Sequence, residues 1–211
     1  MKKASLQFIQ RRIAAVANAA VLSVAVAVAL PQAAQAGNIQ PPDVPANIAV
    51  GAGYEPFLIG HATGTQNYVC LPQGGAYAFV LFTPEATLFN ETGKQLTTHF
   101  FAPNPDENGT IRAAWQHSRD TSTVWGRVIP GNASTDPAYV APGAIPWLLV
   151  TVVGAEEGPG GGEALMDAKF IHRVNTAGGV APSTGCTSVG DVGRTAFVPY
   201  TTDYIFYRDV Q

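Results

Sequence analysis

The sequence predicts an all-β protein in which a signal peptide precedes a single antiparallel β-sandwich or barrel-like domain with little helix. Short apolar or alternating runs rich in Val, Ile, Thr and aromatic residues recur along the chain and are separated by turn residues. The 211 residues include 22 glycines and 16 prolines, which leave few stretches long enough for a helix. The N-terminal residues, by contrast, have the composition of an export leader.

The leader has the layout of a cleavable signal peptide. Four basic residues open the chain, an apolar run covers residues 13–30, and the small-residue site Ala34-Gln35-Ala36 follows directly. A retained transmembrane anchor is the alternative, but Asn18 and Ser23 interrupt the apolar run. We therefore expect residues 1–36 to be removed on export, and the mature protein to be periplasmic or extracellular.

Beyond the leader the chain is acidic and sparsely charged. Four of its 12 Lys and Arg residues lie within residues 1–36, whereas all 15 Asp and Glu residues follow them. A domain of this charge is a poor partner for nucleic acid. No second apolar stretch of membrane length follows the leader, so no membrane span is expected after cleavage. Nothing in the composition specifies an oligomeric state.

The mature chain divides into a short lead-in and one domain. Residues 37–47 contain three prolines and few core residues, which predicts an extended segment before a domain over residues 48–211. Eight strand-like runs lie in that domain, at 67–71, 76–82, 86–89, 95–101, 124–129, 147–153, 168–174 and 197–207. Only residues 110–125 and 163–177 are long enough without Gly or Pro to form an ordinary helix, and the second alternates like a strand from Ala168 onward.

Two loops have recognisable chemistry. Asn90 and Gly93 lie between two strand-like runs, which predicts a hairpin turn with Gly93 at a positive φ angle. The glycine-rich stretch 158–162 superficially resembles a phosphate-binding loop. It lacks the Lys-Ser/Thr pair of such loops, and Glu156, Glu157 and Glu163 flank it, so a plain surface loop is expected.

The segment from His99 to Trp125 contains the best candidates for a site. A loop of about 15 residues would bring His99, His117 and Asp120 together, where they could ligate a divalent metal, or where one imidazole could act as general acid or base oriented by Asp120. The alternative is a structural network in which Arg119 pairs with Asp120. Trp115, Arg119 and Trp125 are candidate ligand contacts, although the two indoles could equally be core residues.

The two remaining histidines carry weaker functional signals. His61 lies between glycines in what resembles a flexible stretch before the first strand, and His172 lies on a strand face with Phe170 and Val174. A hydrogen-bonded core histidine is the expected role of His172. The two cysteines, Cys70 and Cys186, are an even pair in a protein bound for an oxidising compartment, so we expect a disulfide rather than two free buried thiols.

Six segments in combination resemble a secreted family known as domain of unknown function 3455. They are Gly64-Thr65-Gln66-Asn67-Tyr68-Val69-Cys70, Pro84-Glu85-Ala86-Thr87-Leu88-Phe89, Thr98-His99-Phe100-Phe101, Ile145-Pro146-Trp147-Leu148-Leu149, residues 173–182 followed by Cys186, and residues 198–207. The resemblance covers residues 44–208. It implies an exported domain of bacterial or fungal type without an agreed activity, and it supports the pairing of the two cysteines, since both lie in the matching segments.

No complete catalytic constellation is present, so the first hypothesis is a non-catalytic binding or surface-associated domain for a small molecule or glycan, without a cofactor. Aromatic side chains would supply the contacts, including faces that could stack on sugar rings. The alternative is a secreted enzyme, such as a metal-assisted hydrolase, that uses His99, His117 and Asp120 with a divalent metal. A purely structural envelope protein is the third possibility.

Overall fold

A computed structural model of the protein describes residues 39–211, in which eight antiparallel strands form a closed barrel. The strands are β1 (Tyr54–Gln73), β2 (Ala76–Phe89), β3 (Gln95–Asn104), β4 (Thr110–His117), β5 (Thr123–Ser134), β6 (Trp147–Glu156), β7 (Phe170–Gly178) and β8 (Thr195–Asp209). Each pairs with its neighbours in sequence, and β8 returns to β1. The prediction of an all-β, barrel-like domain is confirmed. The predicted signal peptide and its cleavage site lie outside the described residues.

Helix is limited to three short 3-10 turns in residues 39–211: Ala46–Ile48, Pro105–Glu107 and Val189–Asp191. The two stretches that could have formed ordinary helices are instead strands and loops. No helix in this part of the chain is both long and apolar enough to cross a membrane.

The strands agree with the predicted runs except at three places, of which the early start of β1 is described below. Runs 76–82 and 86–89 form one strand, because the chain stays extended through Pro84. Proline has no backbone N–H to donate to β3, and none is required because β3 does not pair with β2 at this point. A further exception is β4, which overlaps none of the predicted runs.

The expectation of a flexible stretch around His61 is wrong. β1 begins at Tyr54 and pairs with β8 as far as Val69↔Thr195, which includes His61↔Asp203. Glycine at position 64 allows β1 to approach β2, since a Cβ there would collide with the backbone of Glu85 and Ala86. This glycine therefore serves close strand packing rather than flexibility.

The barrel has apolar residues on both sides of its wall. Alternate side chains point inward, and the inner cluster includes Leu88, Trp115, Val124, Ile171 and Phe206, all nearly inaccessible to solvent. A second cluster lies outside strands β6 to β8, where the lead-in covers the following residues: Trp147, Leu149, Val174, Ile205 and Tyr207. The outer face of these strands is thus buried as completely as the inner one.

The lead-in contributes more to the core than its composition suggests. It continues into the turn Ala46–Ile48, where Ile48, the first residue of the predicted domain, is fully buried in the outer cluster. His172 fixes it in place, because its Nε2–H donates to the Ile48 carbonyl at 2.7 Å while Nδ1 accepts from the Tyr207 hydroxyl at 3.0 Å. Burial lowers the pKa of His172, so the ring is neutral. This confirms the predicted hydrogen-bonded core histidine.

The connections give the barrel two distinct ends. The end with the β1–β2 and β3–β4 hairpins is called the open end, and the end with the β2–β3 and β4–β5 turns and the β6–β7 loop is called the closed end. At the closed end, the Asn90 side chain accepts hydrogen bonds from the backbone N–H of Thr92 and Lys94, and Gly93 has a φ of 76°. The predicted hairpin turn is confirmed.

The predicted disulfide is confirmed at the open end. Cys70 lies on β1 and Cys186 lies in the loop between β7 and β8, and the two are 116 residues apart in sequence. The bond ties that long loop to the strand closing the barrel. Its effect on the unfolded chain is a large loss of loop-closure entropy.

Replacing both cysteines by serine is expected to lower the free energy of unfolding by up to about 4 to 5 kcal/mol, the value that the chain-entropy model gives for a loop of this length. Urea unfolding of oxidised wild type and of the double variant measures the change. Wild type kept reduced is the control, and it should unfold at the same urea concentration as the variant. An unchanged midpoint in the variant would contradict this account.

Candidate functional site

A cavity of about 400 Å³ lies inside the barrel toward the open end. Its floor is formed by His99, Trp115 and Tyr204, whose side chains are at most 4% exposed. Its walls are mostly apolar and include Leu81, Pro84, Phe101, Ala113, Leu148 and Val150. A cavity of this size suits a small organic ligand, since ligand sites measure roughly 300 to 1,000 Å³.

The cavity exists because neighbouring strands separate near the open end. β4 pairs with β5 only from Ala113↔Gly126 to Gln116↔Thr123, and β2 pairs with β3 only near the closed end. Beyond those pairs the strands diverge, and the half-open rim carries Ile111 and Val128, which are 56% and 40% exposed. Apolar side chains at a rim can contact a ligand as it enters.

The cavity contains basic and neutral polar groups but no carboxylate. No Asp or Glu is among the residues that line it. Arg173 points inward from β7, where it is in register with Leu148 on one side and Tyr204 on the other. Its Nε and Nη2 groups donate to the Pro146 carbonyl at 3.1 and 2.9 Å, and it forms no ion pair within the described residues.

Two buried donors in the cavity lining also lack partners. Gln66 is 2% exposed, and neither its Nε2 group nor the indole N–H of Trp115 makes a hydrogen bond within residues 39–211. A buried donor without a partner costs about 1 to 3 kcal/mol. Such groups in a cavity wall are available to a bound molecule.

His99 is a neutral imidazole in the cavity floor. It stacks on the Trp115 indole with ring centroids 4.3 Å apart, and its Nδ1–H donates to the Ala114 carbonyl at 2.9 Å. Burial lowers its pKa to about 3; the hydrogen bond to Ala114 opposes this lowering, and the Arg173 charge adds a smaller lowering. A ring of such low basicity is a poor proton acceptor at neutral pH.

His117 and Asp120 form a separate cluster at the closed end. Asp120 Oδ1 accepts from His117 Nδ1 at 2.8 Å and from the Ser122 hydroxyl at 2.8 Å, and Oδ2 accepts from the Ala164 N–H at 2.8 Å. Partial burial would raise the pKa of Asp120, but these hydrogen bonds outweigh it and hold that pKa well below its usual range. The carboxylate thus joins the β4–β5 turn to the β6–β7 loop.

Asp120 packs against the glycine-rich stretch 158–162. A Cβ at Gly158 or Gly162 would collide with the backbone or side chain of Asp120, so glycine permits this close approach. Leu165, which follows this stretch, lies inside the barrel and is fully buried in the inner cluster. Its N–H donates to the Ser122 hydroxyl. The loop closes this end of the barrel.

The structure does not gather His99, His117 and Asp120 into one hydrogen-bonded group. His117 and Asp120 are paired, whereas His99 bonds only to backbone in the cavity floor. Within residues 39–211, no three His, Cys, Asp or Glu side chains are placed to hold a metal ion together. The expected ion pair between Arg119 and Asp120 is wrong, because Arg119 is exposed on the turn and Asp120 pairs with His117 instead.

The three residues predicted to contact a ligand do not lie together in the structure. Trp115 lines the cavity, whereas Trp125 is buried in the barrel wall and Arg119 is at the opposite end. Sequence reasoning missed the inward-facing Arg173 and Gln66. Their only sequence signal is a polar residue within an apolar, strand-like run.

His61 belongs to a third cluster, on the outer surface of the barrel. Its Nδ1 contacts Asp203 at 2.7 Å and its Nε2 contacts Glu91 at 2.9 Å, and Asn175 donates to the same Asp203 side chain. Partial burial would lower the pKa of His61, but the hydrogen bonds to Asp203 and Glu91 raise it above the ordinary 6.5. The imidazole, whose protonated form the two carboxylates favour, therefore links β1 and β8 to the β2–β3 turn.

Substituting Asp120→Asn is expected to lower the free energy of unfolding by about 1 to 3 kcal/mol, because a charged acceptor of several hydrogen bonds is lost. The measurement is urea unfolding at neutral pH. Asp209→Asn, an exposed position with the same change of charge, is the control and should change stability by less than about 0.5 kcal/mol. Equal effects of the two substitutions would show that Asp120 does not hold the closed end together.

The stabilisation that His61 provides should depend on pH. Because its folded pKa is raised, the contribution is complete below 6.5, the unfolded value, and is lost as the pH rises through the folded pKa. The difference in unfolding free energy between wild type and His61→Gln is therefore expected to be largest near pH 5.5 and to shrink toward about pH 9. Unfolding series for both proteins across this range measure it. A difference that stays constant or grows with pH would contradict the assignment.

Known proteins provide one point of comparison for this chain. No curated protein and no solved structure matches it. The family model described as a protein of unknown function, DUF3455, matches residues 51–208. This range includes the cavity and both cysteines, covers well over half of the chain, and confirms the resemblance of the six segments. The chain therefore belongs to the DUF3455 family.

Proposed function

We propose that this protein is an exported, non-catalytic binding protein that encloses a small, largely apolar organic molecule in the barrel cavity. The observation that supports this most directly is the cavity itself, which is about 400 Å³ in volume and has apolar walls inside a closed barrel. Eight-stranded barrels have just enough interior for packed side chains or one small ligand. Here the strands diverge at one end, which provides both the space and an entrance.

The chemistry of the cavity supports binding more than catalysis. His99 is the imidazole in its floor, and its pKa of about 3 makes it ineffective as a base at neutral pH. The other pair with catalytic potential, His117 and Asp120, is engaged in closing the far end of the barrel. A metal-assisted hydrolase that uses all three residues is therefore less well supported, and no cofactor is proposed.

An apolar ligand is also better supported than a glycan. Sugar binding by aromatic residues requires an exposed ring face. The indole in the cavity, Trp115, is stacked against His99 on one face and is only 1% exposed. Export to the periplasm or the cell exterior is supported by the N-terminal leader and by the disulfide, which persists in an oxidising compartment.

The test is a fluorescence titration with N-phenyl-1-naphthylamine, a neutral apolar dye that brightens when it leaves water. The dye has about 17 non-hydrogen atoms, and each should contribute about 0.3 to 0.4 kcal/mol of binding free energy, which corresponds to a Kd of about 10 to 200 µM. Ala113→Phe places a large side chain in the cavity wall and should weaken binding at least about tenfold by filling the space.

Ala102→Phe is the matched control, since residue 102 faces outward on β3, next to the inward-facing Phe101. This variant should bind the dye as wild type does, and thermal unfolding verifies that both variants are folded. Failure of the wild type to bind the dye saturably, or equal binding by the two variants, would refute the cavity as the binding site.

A further inference from the structure

We propose that the ligand of this cavity is an organic anion, an apolar molecule that carries a carboxylate, and that Arg173 binds the carboxylate. This inference rests on the proposed binding function and adds the chemical class of the ligand. The charges that line the cavity are unbalanced. A guanidinium lines the cavity, whereas no Asp or Glu does.

Arg173 is only partly satisfied by the protein. Its hydrogen bonds to the Pro146 carbonyl use Nε and Nη2, and the Tyr204 hydroxyl beside it is a further neutral partner. A neutral carbonyl orients the guanidinium without neutralising it. A charge in an apolar cavity is costly unless an opposite charge pairs with it. A bound carboxylate would supply that charge, and its planar geometry matches the guanidinium.

The neighbours of Arg173 favour an anion as well. Burial raises the pKa of Tyr204, and the positive charge of Arg173 opposes that rise, which puts the guanidinium within electrostatic range of the hydroxyl. Gln66 adds a buried Nε2 donor without a partner in residues 39–211. A guanidinium, an amide N–H and a phenol hydroxyl are all able to donate hydrogen bonds to a carboxylate.

The rim of the cavity, like its interior, carries a positive charge. Arg112 is neutralised by Glu107, with two hydrogen bonds of 2.7 and 2.9 Å. Arg127, also at the rim, forms no ion pair in the part of the chain that the structure describes. The unpaired positive charges of the cavity are thus Arg127 at its entrance and Arg173 inside. In a chain with an excess of acidic residues, this arrangement directs anions to one place.

The experiment compares two dyes that differ in one charged group. 8-Anilinonaphthalene-1-sulfonate is N-phenyl-1-naphthylamine with an added sulfonate, so the ratio of their Kd values isolates the contribution of the anion. Wild type should bind the sulfonate dye more tightly. In Arg173→Met its affinity should fall by about 10- to 100-fold, the loss expected for a charged hydrogen-bonded pair, while the neutral dye changes by less than about twofold.

Two further variants keep the test interpretable. Arg119→Met removes the same charge from an exposed turn at the closed end, and it should bind both dyes as wild type does. Arg173→Lys keeps the charge and should recover a part of the preference for the anionic dye. Thermal unfolding of each variant verifies that it is folded, because partly unfolded protein also binds these dyes.

Displacement of the neutral dye then tests the carboxylate itself. Decanoate should displace it from wild type at a concentration at least about tenfold lower than decan-1-ol does, and this difference should disappear in Arg173→Met. If the neutral dye does not bind to wild type at all, the binding function fails and this inference fails with it. If the neutral dye binds, but the anions have no advantage or keep it in Arg173→Met, the inference alone is refuted.

Discussion

The pairing of β1 with β8 is the constraint on which the rest of the structure depends. It extends from Tyr54↔Asp209 to Val69↔Thr195 and turns an open sheet into a barrel. Closure leaves no free edge between the first and last strands and fixes which side chains point inward. Gln66 faces the cavity and His61 meets Asp203 on the outer surface because of this register.

The two ends of the barrel use the same strands for opposite purposes. At the closed end the strands remain paired, and Asp120 and Leu165 seal the interior with hydrogen bonds and an apolar plug. At the open end, β2 separates from β3 and β4 from β5, so the interior is lined by side chains but not filled. Pairing supplies rigidity at one end, and its absence supplies volume at the other.

The sequence predicts the fold class, the disulfide and most strands, because alternation and turn residues are local signals. It misses β4, where Ala113 and Ala114 replace the β-branched residues typical of strands. The site is harder to predict because alternation shows that Ile171 and His172 face opposite ways, but not which faces inward. Both faces of β7 are buried, since the lead-in covers the outer one. Arg173 therefore could not be identified as a cavity residue without the tertiary structure.

The bond between His172 and the Ile48 carbonyl has a consequence for the order of folding. These residues are 124 positions apart, so the first segment of the described chain attaches to strands that are synthesised near the end. Until β8 is available, β1 has no closing partner and the lead-in has no surface to cover. Folding that depends on such distant contacts is slow, because loop-closure entropy is lost before any pairing compensates for it. The barrel therefore completes its folding only when nearly the whole chain is available.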